Sequence, residues 1–107
     1  MKYTVVIISE AENDILDIYQ YIIRHDSAAN ADHVFEQIEE ACYSLEEFPE
    51  RGHIPPELDT IGISAYREIH FKPYRVIYEI DGKNIFIHCI LDGRRDLQQL
   101  LERRLLR

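Results

Sequence analysis

With 107 residues, 46% of them hydrophobic and only four glycines and four prolines, the chain fits one packed domain over residues 1–107 and excludes a disordered or low-complexity one. No apolar run approaches the ~20 residues of a membrane-spanning helix. The short run after Met1-Lys2 ends at Ser9-Glu10 without the layout of a signal peptide, so a cytoplasmic location is expected. The net charge of −8 conceals a split: residues 1–64 hold 3 basic and 14 acidic groups, whereas residues 65–107 hold 9 and 6. The acidic half can serve solubility alone, which directs the search for a working surface to the arginine-rich half.

Residues 3–8 (YTVVII) are β-branched and short, as in a buried strand. Ser9 is expected to cap a helix with Glu12 at the capping-box position. Ala11, Ile15, Ile18, Tyr19, Ile22 and Ile23 then form an apolar stripe running to about His25. Asp26-Ser27 breaks and recaps the chain. A second helix follows, with Ala31, Val34, Phe35, Ile38, Ala41, Cys42, Leu45 and Phe48 facing inward until Pro49 stops it. So short a link makes the two helices an antiparallel hairpin. Residues 49–57 (PERGHIPPE) read as an irregular loop.

The period then changes to two. Residues 66–71, 74–80 and 84–91 are strand candidates, the last two joined by the hairpin signal Asp81-Gly82-Lys83. Residues 94–106 return to helical spacing through Leu97, Leu100, Leu101 and Leu105, a stripe suited either to a core or to a partner's groove. The order β-α-α-β-β-β-α predicts an α+β fold, a small antiparallel-rich sheet with the helical hairpin on one face. The first strand must join that sheet beside a partner the sequence does not specify. The other face is expected to be open or partly covered by the last helix.

Alternation places Arg75, Ile77 and Glu79 opposite Tyr74, Val76, Tyr78 and Ile80. In the next strand Ile85, Ile87, Cys89 and Leu91 form the apolar set, and Phe86, His88 and Ile90 face the other way. Arg75 and His88 are thereby expected together on the open face, with Arg67 and Arg95 entering from its two ends as a concave cationic patch. Each also has a plainer reading: Arg75 can pair with Glu68 or Glu79, and His88 can be a satisfied structural histidine. Cys42 and Cys89 lie in apolar stretches and read first as buried thiols, with a disulfide or a nucleophile as alternatives. His25, His33, His53 and His70 have no metal-ligand spacing with Cys, Asp or Glu, so no zinc site is expected. There is no P-loop, G-x-G-x-x-G or G-x-S-x-G, and no cofactor is expected.

The strand Tyr74-Arg75-Val76-Ile77-Tyr78-Glu79 followed by Gly93-Arg94-Arg95-Asp96, with Arg67-Glu68-Ile69 before it, resembles the RelE/ParE family of type II toxin–antitoxin toxins. The resemblance spans nearly the whole chain and implies a cognate antitoxin, ParD-like or similar, as partner. It also implies one of two targets. RelE-like members cut mRNA on the ribosome, and ParE-like members inhibit DNA gyrase. Metal-free RNA cleavage needs cations for the developing phosphorane and acid/base groups beside them. Arg75 and Arg95, with His88, are the candidates for that chemistry. The stretch after Arg95 has no Tyr or His, and the first strand of the block reads Arg67-Glu68-Ile69-His70 where such nucleases carry lysines. Together with the net charge of −8, this favours the ParE-like branch and a non-enzymatic gyrase inhibitor. The resemblance then places target or antitoxin contacts at Arg67, Arg75, His88, Arg94, Arg95, Arg103 and Arg104, with Arg107 beside them. Loss of Arg75 and Arg95 together is expected to weaken toxicity.

Overall fold

The computed structural model describes residues 2–106. The YTVVII run forms β1 (Thr4–Ile7), which leads straight into α1 (Ser9–His25). Ser9 is the first helical residue and not the cap. The backbone N–H of Ile8 donates to Ile87 O at 3.2 Å, holding Ile8 extended so that its own carbonyl accepts from Glu12 N at 2.9 Å. Strand pairing thus sets the helix start, and the expected capping box does not form. Ser27 does cap α2 (Ala28–Tyr43), its hydroxyl accepting from Asn30 N at 3.1 Å.

A 3-10 turn over Ser44–Glu46 rotates the chain after α2. Leu45 is buried by that turn, but Phe48, expected on the inner face, is 65% exposed, and Ile23 of α1 also faces outward. The 49–57 loop is not wholly irregular. Pro56 opens a one-turn helix, α3 (Pro56–Asp59), with acidic Glu57 and Asp59 in its first turn and Leu58 buried beneath it.

β2 (Tyr66–Phe71), β3 (Tyr74–Asp81) and β4 (Asn84–Asp92) follow the period-two pattern, and α4 (Gln98–Leu105) closes the chain. Gly82, at φ +61°, makes the β3–β4 turn. The sheet order is β1-β4-β3-β2, with β1 parallel to β4 and the other pairs antiparallel. α4 starts later than the sequence suggests because carboxylates hold the preceding residues in turns. Asp92 Oδ1 accepts from Arg94 N at 2.9 Å, and Asp96 Oδ1 accepts from Gln98 N at 3.2 Å.

Two cores flank the sheet. The helical hairpin contributes Ala11, Ile15, Ile38 and Cys42, which pack on Ile69, Val76, Tyr78, Ile85, Ile87 and Ile90. Leu97 and Leu101 cover Ile77, Cys89 and Leu91 on the opposite face, so the leucine stripe of α4 is core and that face is covered. Strict alternation fails in β4. Ile77 pairs with Cys89 but Tyr78 pairs with Ile87, leaving His88 as an extra residue in a bulge. Ile85 and Ile87 therefore face the hairpin while Cys89 and Leu91 face α4, and Ile90 joins the hairpin side.

Cys42 and Cys89 are free, buried and on opposite sides of the sheet. Burial pushes both thiols up to about 12. A disulfide reagent added to native protein is expected to label neither within minutes, and both only after denaturation. Rapid native labelling of one thiol would contradict this packing.

Candidate functional site

The arginines singled out from sequence do not share one patch. Arg67 pairs in register with Tyr78 on the hairpin face, where its Nη1 donates to Gly52 O at 2.9 Å. Arg75 pairs in register with Leu91 on the α4 face. The expected Arg67/Arg75 cluster is thus divided by the sheet itself.

Arg75 is enclosed. Its side chain is 12% exposed, and its guanidinium lies between two carboxylates. Nε and Nη2 donate to Glu68 at 2.6 and 3.0 Å, while Nη1 and Nη2 donate to Glu57 at 2.6 and 2.7 Å. The hydrogen bond from Arg75 holds the Glu57 carboxyl below its ordinary range, and the same bond raises Arg75 above its own. Pairing with Glu68 is as the sequence allows, but the second partner is Glu57 of α3, not Glu79. Four hydrogen bonds to two carboxylates thus occupy most of this guanidinium, and an outside phosphate has to compete with them.

Gly93 belongs to the same arrangement. Its N–H donates to Pro73 O at 2.8 Å, and a Cβ there would lie 2.9 Å from the Cγ and Cδ of Arg75. The glycine of the Gly93-Arg94-Arg95-Asp96 motif is therefore required by the stem of Arg75 passing beneath it.

His88, on the bulge, bonds Glu79 at 2.9 Å and meets the Tyr66 ring edge-on at 5.4 Å between centroids. It shares no partner with Arg75, and the expected pairing of the two on an open face does not occur. Arg104 is structural as well. It donates to both oxygens of Asp14 at 3.2 and 3.0 Å and to His88 O at 3.0 Å. Asp14 in turn accepts from Ile90 N at 3.0 Å, satisfying an amide of β4 past the end of its pairing with β1. One carboxylate thereby joins α1, β4 and α4.

Arg94, Arg95 and Arg103 are the members of the set that present cations to solvent. Arg94 is clasped by Asp92 at 2.7 and 3.0 Å, with its side chain still 72% exposed. Arg94 and Arg95 edge a groove of about 390 Å³ between α1 and the end of the sheet, floored by Ile18, Tyr21, Tyr74 and Leu91. Arg107 lies outside the described residues.

Sequence reasoning missed Glu57 and Asp14 as organising groups, and named Glu68 only as a partner of Arg75. Asp14 carried a signal, since it falls between Ala11 and Ile18 on the helical stripe where an apolar residue is expected. The histidines set aside for their spacing are not all isolated either. His53 and His70 each place Nε2 3.1 Å from the Glu68 carboxylate. Backbone pairing of His53 with Glu68 brings them together, which separation along the chain does not reveal.

Comparison with known proteins accords with this architecture. The family model for the ParE toxin of type II toxin–antitoxin systems, parDE, matches residues 5–97. Among solved structures, the chromosomal ParDE system from P. aeruginosa aligns at TM-score 0.72 and 18% identity, over 85% of this chain and 96% of that one. The toxin–antitoxin complex RelBE2 from Mycobacterium tuberculosis aligns at TM-score 0.64 and 17% identity, over 86% and 92% of the two chains. Comparison with curated protein sequences finds no match. The four-stranded sheet and helical hairpin give the fold of a RelE/ParE-type toxin. Within that class, the chain belongs to the ParE toxin family of type II toxin–antitoxin systems.

Proposed function

We propose that this toxin acts by binding DNA gyrase, blocking its cycle and hence replication, and that a ParD-like antitoxin neutralises it. The observation that carries the reading is the enclosure of Arg75 between Glu57 and Glu68. A ribonuclease of this fold would need that cation free to meet a developing phosphorane charge. Its remaining candidates are not assembled around it: His88 is engaged by Glu79, and Arg95 is exposed on the turn after β4. The phenol of Tyr74, beside Arg94 and Arg95, is raised by burial, away from the range of a base at neutral pH.

The exposed Arg94, Arg95 and Arg103 instead suit protein recognition, in which a cation on an aromatic floor steers and anchors a partner. An acidic amphipathic antitoxin segment would lie over the groove between α1 and the sheet end, its apolar side chains on Tyr21 and Tyr74 and its carboxylates on Arg94 and Arg95. That occupancy explains how an antitoxin masks the surface that otherwise meets the target.

The test is a purified-component comparison. The chain is expected to inhibit gyrase supercoiling without cutting mRNA on ribosomes. Arg95→Ala should weaken inhibition about tenfold, the usual scale of a lost interfacial arginine. Ribosome-dependent cleavage with supercoiling unaffected would replace this reading with the RelE-like one.

A further inference from the structure

We propose that His53, Glu68 and His70 form a binding site for a borderline-soft divalent metal ion of the Zn²⁺ type. The site is assembled by backbone pairing. Glu68 and His70 are two residues apart on β2 and so share a face. His53 is fixed beside them by a two-way bridge, its N–H donating to Glu68 O at 3.1 Å and its carbonyl accepting from Glu68 N at 2.7 Å.

The three side chains converge. The Nε2 atoms of His53 and His70 each lie 3.1 Å from a different oxygen of Glu68, and the ligand atoms all lie within 4.8 Å of one another. Tetrahedral zinc, with metal–ligand distances of ~2.0–2.2 Å, separates neighbouring ligand atoms by about 3.3 Å. Both nitrogen–oxygen separations already fit. The two imidazoles need only swing toward each other, and their side chains are 60% and 46% exposed.

Three further features favour a cation here. Glu68 is 1% exposed and Arg75 occupies two of its lone-pair positions, leaving the imidazole side of the carboxylate for a metal. Arg75 thereby orients the carboxylate, as groups hydrogen-bonded to a metal ligand commonly do. Glu57 and Glu68 also set two formal negative charges against one guanidinium, so the cluster has one negative charge in excess. Two imidazoles with one carboxylate select Zn²⁺, Co²⁺, Ni²⁺ or Cu²⁺ over Mg²⁺ and Ca²⁺, and a water would complete the coordination. The bound ion would clamp the segment around His53 onto β2. This inference is independent of the toxin's target.

The test is calorimetric titration of the full chain, free of any histidine tag and treated with chelator, with ZnCl₂. One ion per chain is expected. His53→Ala and His70→Ala should each weaken binding at least tenfold, and a His25→Ala/His33→Ala variant should not. All of these histidines are exposed, and circular dichroism confirms that the variants fold. Co²⁺ added to the unaltered protein supplies a second readout, the intense visible bands of a four-coordinate ion. No saturable binding, or unchanged binding in both His53→Ala and His70→Ala, would overturn the proposal.

Discussion

Arg75→Ala is expected to destabilise the protein by about 3–5 kcal/mol, the scale for removing one partner from a buried ion pair. For a domain near 100 residues this lowers the thermal midpoint by roughly 15 °C or more. The cause is the carboxylate left behind. Glu68 is 1% exposed, and without the guanidinium it keeps only its two imidazole contacts. Glu57 is less affected because its side chain is 19% exposed and can turn to water. Adding Glu68→Gln to Arg75→Ala should therefore recover about 1–2 kcal/mol, since an amide is far cheaper to bury than an unpaired charge. Denaturant titration of the three variants checks this. If Glu68→Gln brings no recovery, lost packing of the arginine stem accounts for the effect, and not the buried charge.

This result bears on how toxicity is read. A double Arg75/Arg95 alanine variant therefore mixes destabilisation with any loss of target contact, and its effect on growth does not separate the two. Arg95 is exposed, and its guanidinium has no hydrogen-bond or ion-pair partner among the described residues, so Arg95→Ala isolates recognition.

Gly52→Ala should cost about 3 kcal/mol, the upper part of the usual range for overpacking. A Cβ at Gly52 would lie 2.5 Å from both Glu68 O and the Tyr78 hydroxyl. Neither atom can retreat easily. Glu68 O accepts from His53 N in the strand bridge. The Tyr78 hydroxyl is buried, donates to Pro49 O at 2.6 Å and accepts from Gly52 N at 3.2 Å. Gly62→Ala is the matched comparison. Its φ of +78° opposes any side chain, but no atom lies within 4 Å, so about 1 kcal/mol is expected. A denaturation midpoint for Gly52→Ala no lower than that for Gly62→Ala would show that the Tyr78 anchor is looser than its hydrogen bonds imply.

The elements were legible because each carries a short-range signal. Period-two runs marked β2, β3 and β4, Asp81-Gly82 marked their hairpin, and Ser27 marked the start of α2. The family resemblance lay in Tyr74–Glu79 together with Gly93–Asp96, and the family match bears it out. The site was less legible because its chemistry depends on partners distant along the chain. Glu57 stands 18 residues before Arg75 and reaches it from a one-turn helix that resembled loop. Asp14 meets Arg104 across 90 residues. Charge counting recognised that arginines concentrate in the second half, but not that carboxylates from the first half occupy two of them. Ser9 failed as a cap for a related reason, since pairing of Ile8 with β4 outranked the local motif.

The extra residue at His88 makes β4 read in two phases, odd positions facing the helical hairpin before it and α4 after it. If His88 were instead paired in a regular ladder, the strand would be uniform and everything downstream would turn over. Ile90 would exchange layers with Cys89 and Leu91, while Asp14 would lose the amide it satisfies. One bulged position thus lets a continuous apolar strand serve two different cores.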